Sequence, residues 1–383
     1  MAIYKLYPQQ DATIYSAFPL INTGLDPILE INNINPSPSY ENQVARSLIK
    51  FNQDEIDKLI DYKISGSVFE AYLKMYIADA NGLLLKSNIE AYPIYGEWMN
   101  GEGRYADSPE NTNGVSWVYK NHIDGDNWQI TNLPSYVKNS FINGNEGGGT
   151  WFTGSDHPGL ENLKATQSFD LKLPCELNMN VTNALKLWYS SSKDINNSYM
   201  NIPNNGLIIK WEDSIEFNSL LSIQPSFRFY SIDTHTIYPP ELEIKWDDSL
   251  YITGSLRPLN TNNIYIGIKN NPGKFYLDSI NKFRINARPM YPPRVYQVSS
   301  VYTNNYALPR QSYWALKDID TNEYVIDFDE QYTKLSCDNK GNYFTLYMNG
   351  LEPERNYSIL IKTIIDGETI IKNDNYYFKI ING

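Results

Sequence analysis

Apolar and polar positions alternate through most of this chain, and the alternation is sharpest in two nearly identical phrases. Leu207-Ile208-Ile209-Lys210-Trp211-Glu212-Asp213-Ser214 returns thirty-five residues later as Leu242-Glu243-Ile244-Lys245-Trp246-Asp247-Asp248-Ser249. Leu207, Ile209 and Trp211, like Leu242, Ile244 and Trp246, fall on one side of an extended backbone, the period-two signature of a half-buried strand. The acidic pair and Ser that close each phrase end a strand and start a turn. Leu221, Ile223, Phe227 and Phe229 alternate with Ser222, Gln224, Ser226 and Arg228 and predict a third strand. The shared register predicts Trp211 and Trp246 buried on a common sheet face.

The same reading extends in both directions. Strands are predicted at 47–51, at 69–77 with Phe69, Ala71, Leu73, Met75 and Ile77 on one face, and at 168–173. Beyond Ser249 they recur at 264–268, 283–287, 324–328, 343–347 and 357–361. Two segments change period. Residues 54–60 read as a short helix with Asp54 as N-cap. Val181, Leu185, Trp188 and Tyr189 mark a second helix, capped by Thr182 or Asn183. From Glu97 to Gly159 periodicity is lost among Gly101-Glu102-Gly103, Gly147-Gly148-Gly149 and four tryptophans, with a helical turn expected over 135–141. An aperiodic stretch of that length reads as a functional loop region or an insertion.

Composition sharpens the β reading. Tyr is the dominant aromatic residue at 31, against 14 Phe and 8 Trp. Tyr favours strands and suits surfaces that another protein later covers. The chain carries 32 basic and 44 acidic residues, a net charge of −12, with no basic run. That balance argues against direct nucleic-acid binding, which depends on clustered Lys and Arg. No window is apolar enough to cross a bilayer, and Met1 to Pro8 does not read as a signal peptide. Synthesis and folding in a cytoplasm are expected. Cys175 and Cys337 read as two buried thiols ahead of a long-range disulfide, and neither has a zinc-like neighbour at the required interval.

Several phrases resemble known families. Asp11-Ala12-Thr13-Ile14, Ser47-Leu48-Ile49-Lys50-Phe51, Gly101 and Gly103 after Trp98, Val181-Thr182 with Trp188, Asn205-Gly206-Leu207-Ile208-Ile209-Lys210 and Pro240-Glu241-Leu242-Glu243-Ile244 resemble, in that order, DNRLRE-type jelly-roll modules, relatives of carbohydrate-binding modules. The hexapeptide that names that family is absent. Residues 283–289, Gly341-Asn342-Tyr343-Phe344 and 350–357 resemble the tails of virion structural proteins from tailed bacteriophages, crAss-like and marine phages among them. Leu351-Glu352-Pro353 followed by Tyr357 is similar to the tyrosine corner of fibronectin-type sandwiches. These resemblances imply an N-terminal jelly-roll β-sandwich over 1–249, carrying the irregular insertion at about 97–159, and an immunoglobulin/fibronectin-like β-sandwich over 250–383. They also imply a capsid, neck or tail component.

Candidate chemistry is sparse. His122, His157 and His235 stand in no nucleophile or metal-binding motif, and Ser155-Asp156-His157 are sequence neighbours, which rarely converge as a triad. Glu97, Glu102 and Asp107 lie among aromatics, where paired carboxylates of a polysaccharide depolymerase would sit; a solvated loop fits them better. Asp124, Asp126 and Asn127 cluster hard oxygens suited to a structural calcium ion, although turn chemistry is the simpler account. Trp98, Trp117, Trp128 and Trp151 admit three readings: the domain's own core, anchors buried in a neighbouring subunit, or a platform for sugar rings. The expectation is a non-enzymatic virion protein of a tailed phage, without cofactor, acting in the neck or tail through other virion proteins and a homo-oligomeric ring, with no membrane contact. Glycan binding to bacterial surface polysaccharide is the alternative.

Overall fold

The computed structural model describes residues 2–34, 43–82, 86–128, 131–139, 147–154, 160, 162–170, 176–193, 202–216, 218, 225–269 and 271–382. Strands dominate, pairing mostly antiparallel, so the expected mainly-β sandwich architecture is present. The chain divides into a larger unit, Leu6–Ser65 with Glu70–Glu243, and a smaller unit, Met1–Lys5 and Gly66–Phe69 with Ile244–Gly383.

In the larger unit an eight-stranded sheet runs in the order Ala165–Asp170, Lys86–Pro93, Leu207–Trp211, Gln43–Phe51, Ile28–Ile34, Ser226–Tyr230, Ile77–Asn81, with Pro8–Tyr15 also paired to Gln43–Phe51. The first of the two repeated phrases therefore lies at the sheet's centre. All five residues of Leu207–Trp211 are buried, not only the alternate ones. Trp211 packs on Phe227 on one face, while Ile208 joins a tryptophan cluster on the other. A strand covered on both faces needs a second layer, and the aperiodic segment supplies it.

Local chemistry explains the deviations from expectation. The first helix spans Gln53–Leu59, and its N-cap is Asn52, whose side chain accepts the Asp54 and Glu55 N–H groups. The second spans Thr182–Ser192 with Val181 at its N-cap; the Thr182 hydroxyl instead accepts the Ala71 N–H at 2.9 Å, tying the helix start to a strand. Val137–Asn139 is extended and pairs with Thr150–Phe152, so the expected helical turn over 135–141 is not formed at those residues. Residues 221–224 lie outside the described residues, and the third strand is Ser226–Tyr230.

The smaller unit is a two-sheet sandwich. One sheet orders Ile264–Lys269, Ile280–Pro289, Gly341–Tyr347 and Ser336–Asp338; the other orders Lys274–Tyr276, Glu368–Ile381, Asn356–Ile365, Ser312–Asp318 and Tyr324–Ile326. Trp314 of one stacks on Phe344 of the other with ring centroids 4.7 Å apart, and Phe275, Phe283 and Phe378 fill the space around them. The tyrosine corner is present: the Tyr357 hydroxyl accepts the Glu352 N–H at 2.9 Å.

Trp211 and Trp246 are both fully buried, but they do not share a sheet face. Trp211 belongs to the eight-stranded sheet of the larger unit, whereas Trp246 belongs to the smaller unit and packs on Tyr347. The likeness of the two phrases reflects a shared strand-then-turn grammar. In the first the acidic end becomes the short helix Asp213–Glu216, and in the second the Asp247 carboxylate accepts the Ser249 N–H at 2.8 Å.

Candidate functional site

One side chain ties several points of the aperiodic segment together. Asn22 is completely buried; its amide donates to the Asn100 carbonyl at 2.7 Å and the Val115 carbonyl at 2.8 Å, and its oxygen accepts the Gly103 N–H at 2.8 Å. Gly101, Gly103 and Gly114 press against Asn22 so closely that a Cβ on any of them would overlap it or its neighbours. This is why glycine stands at those three positions.

Beneath that layer Trp98, Trp117, Trp128 and Trp151 pack with Ala12, Ile14, Val44, Leu48 and Ile208, and none is more than 3% exposed. Of the three readings of these rings, the arrangement is that of the unit's own core. Their indole faces offer nothing to a sugar or a neighbour at the surface of this chain. Two of them carry hydrogen bonds: Trp98 Nε1 donates to the Asn205 carbonyl at 2.8 Å, and Trp128 Nε1 to the Ser116 carbonyl at 3.0 Å.

The sheet face under the tryptophans also holds charge, which no sequence pattern announces. Arg46 follows Val44 and precedes Leu48 on the inward side of its strand, and Lys210 follows Ile208 likewise. Both are fully buried, and both meet Glu216, itself fully buried. Arg46 Nε lies 2.8 Å and Lys210 Nζ 3.0 Å from its two carboxylate oxygens. Lys210 also pairs with Asp213 at 2.8 Å, and Arg46 donates to the Gly148 carbonyl. The guanidinium carbon sits 4.9 Å from the Trp117 ring centre and 5.2 Å from that of Trp151. Arg46, Lys210 and Glu216 are sealed from solvent and each has a charged partner, and only Asp213 at the edge of the network is exposed, so the buried part ties strand to strand and organises the fold.

The other sequence candidates are scattered. Glu97 is exposed beside Lys50 at 3.7 Å, and the Asp107 carboxylate is occupied by the Arg104 N–H at 2.8 Å. Asp124 accepts from Asn121 at 2.6 Å, Asp126 pairs with Lys120 at 3.0 Å, and Asn127 is exposed beside it. Among the described residues no group of three or more His, Cys, Asp and Glu side chains is placed to hold a metal ion. His122 Nδ1 bonds the Thr112 carbonyl, and His235 sits in an exposed turn. Ser155, Asp156, His157 and Cys175 lie outside the described residues. Cys337 is a buried free thiol, pushed up to about 11 by burial and by Asp338.

Sequence reasoning missed a surface cleft of about 360 Å³ in the larger unit, lined chiefly by Tyr15, Phe18, Asp26, Glu30, Tyr105 and Arg228. Phe18 and Tyr105 are 41% and 47% exposed, yet their rings meet edge to face at 5.6 Å, and Tyr15 lies 5.1 Å from Tyr105. Asp26 accepts the Tyr105 N–H at 3.2 Å. Partial burial, and then the charges of Glu30 and Asp107, hold its carboxyl above the usual carboxylate range against the pull of that bond and Arg104. Arg228 and Glu30 are cross-strand partners joined at 2.8 Å. The cleft thus combines half-exposed aromatic rings with an excess of negative charge. Its one readable signal is the Arg228–Glu30 pair, and that appears only once the strand register is known.

No protein-family model matches the chain, and no curated protein matches it in sequence, so neither the DNRLRE-type nor the phage resemblance has a family match behind it. Structural likenesses are faint. A DUF4785 family protein from Legionella pneumophila aligns over 100% of this chain and 69% of its own at 8% identity, with a TM-score of 0.20. β-Glucuronidase 3 of Bacteroides uniformis aligns over 90% of this chain and 28% of its own at 7% identity and 0.16. The baseplate tripod of bacteriophage Tuc2009 aligns over 100% of both chains at 11% identity and 0.14. Scores of this size do not establish a shared fold.

Proposed function

We propose that the chain is a non-enzymatic structural component of a tailed-phage virion, a neck or tail ring or fibre-attachment protein that works through subunit interfaces. The observation that carries the interface part is a run of exposed apolar side chains on the smaller unit. Tyr291, Val295, Tyr296, Val298 and Tyr302 all point into solvent within one segment, with Tyr296 and Val298 fully exposed. Tyrosines so placed are the anchors that protein interfaces favour. The virion assignment draws on the resemblance of residues 283–289, 341–344 and 350–357 to phage tail proteins. Mass spectrometry of purified virions tests it: the chain is expected at stoichiometric copy number, and its absence overturns the reading.

A second reading, glycan binding, is favoured by Phe18 and Tyr105 at the cleft rather than by the tryptophans. A glycan array with the purified chain tests it. Binding lost in Tyr105→Ala supports it, and no binding removes it.

A further inference from the structure

We infer that the aromatic, acidic cleft of one copy receives the segment Tyr291–Val298 of a second copy, with Arg294 as the side chain that enters it. This rests on the subunit-interface reading above and gives it a specific contact.

The cleft calls for a cation. Glu30 already has Arg228, whereas Asp26 accepts the Tyr105 N–H, makes no ion pair among the described residues, and feels the charges of Glu30 and Asp107 more than that of Arg104. Half-buried carboxylates crowded in this way are relieved by an incoming positive charge. Tyr15, Phe18 and Tyr105 add ring faces and edges on which a guanidinium is more favourably held than an ammonium. At about 360 Å³ the cleft is at the small end for ligand sites, large enough for a long side chain and part of its neighbour.

The segment supplies the complement. Tyr291-Pro292-Pro293-Arg294-Val295-Tyr296 places Arg294 between exposed Tyr and Val side chains, and Arg294 itself is exposed with no ion pair among the described residues. Pro292 and Pro293 fix two φ angles and favour an extended backbone, which lowers the ordering cost of docking. Burying Tyr291 or Val295 at the cleft rim alongside Phe18 would remove apolar surface from water on both copies. Segment and cleft are different surfaces, so the contact is head-to-tail. Repeated, it closes a ring or extends a filament.

Sedimentation of the full chain over a concentration series tests this. The wild type is expected to self-associate, more weakly as salt rises. Arg294→Glu and Asp26→Arg should each weaken association by about tenfold or more. Mixing the two variants should restore it, because the Arg294 segment of one then meets the Asp26 cleft of the other. Tyr105→Ala should weaken it without altering the circular dichroism spectrum. A wild type that stays monomeric at its highest soluble concentration, or association indifferent to both charge reversals, overturns the contact. So does a sugar, and not an arginine peptide, shifting the Tyr105 resonances. A chain found in virions but monomeric alone overturns this contact and leaves the virion reading standing; absence from virions does the reverse.

Discussion

Arg46 and Glu216, 170 residues apart in sequence, form a two-point ion pair at 2.8 and 3.1 Å with both side chains wholly removed from solvent. Removing Arg46 takes one of two cations from the buried Glu216 carboxylate and leaves it to Lys210. Arg46→Met is therefore expected to cost about 3 kcal/mol, the low end for breaking a buried pair, whereas replacing Arg46, Lys210 and Glu216 together by apolar residues of similar volume should recover much of that loss. Urea unfolding of the single and triple variants measures both. A single variant as stable as wild type would mean the pair is not buried as described.

Gly148 lies between that pair and the tryptophans. Its φ is +81°, and a Cβ there would come within 2.6 Å of Arg46 Nη1 and 2.7 Å of the Trp117 ring. Gly148→Ala should destabilise by about 2 kcal/mol or more, since backbone strain and overlap add. Gly125 has φ +67° but nothing within 4 Å, so Gly125→Ala should cost only about 1 kcal/mol. Equal losses in thermal melts would remove the packing argument.

All eight tryptophans of the chain are buried to 3% or less. Native fluorescence should therefore be blue-shifted and weakly quenched by acrylamide, and sugars should leave it unchanged. Strong quenching in the folded protein would contradict the core assignment of Trp98, Trp117, Trp128 and Trp151.

Asp11 is 1% exposed; one oxygen accepts the Ile232 N–H at 2.8 Å and the other has no hydrogen-bond partner among the described residues. Burial raises its pKa to about 7, the Ile232 bond opposes this, and Asp233 adds to it. The folded state thus prefers the neutral carboxyl. Its stabilising contribution is complete below the unfolded value near 3.8 and is lost as pH rises through about 7. The full span is on the order of 4 kcal/mol. Asp11→Asn keeps the acceptor and removes the titration, so its stability should be flatter between those pH values and exceed wild type above pH 7. Parallel curves for the two proteins would refute the assignment.

Tyr357→Phe removes the hydroxyl that accepts the Glu352 N–H while leaving the ring against Phe378. A loss of about 1 kcal/mol is expected, with self-association unchanged. Denaturant midpoints and sedimentation check the two halves of that statement.

The alternation of Leu207 to Trp211, the recurrence of turn residues after each strand, and the Leu351-Glu352-Pro353…Tyr357 spacing were enough to predict strands, their ends and one corner hydrogen bond. These are local relations, set by side-chain period and turn chemistry within a few residues. The burial of Trp211 and Trp246 also followed, because a large apolar ring on an alternating strand has few other places to go. What covers a strand's second face is not local. Only the tertiary structure brings Asn22 to Asn100 and Val115, folds the glycine-rich segment over Ile208 and Lys210, and so turns a half-buried strand into a fully buried one. It alone decides that Arg46 meets Glu216, and that Tyr15, Asp26, Tyr105 and Arg228 line one cleft. Such pairings depend on strand register and on chain return across separations such as 78, 93 and 170 residues, and no periodicity in the sequence encodes them.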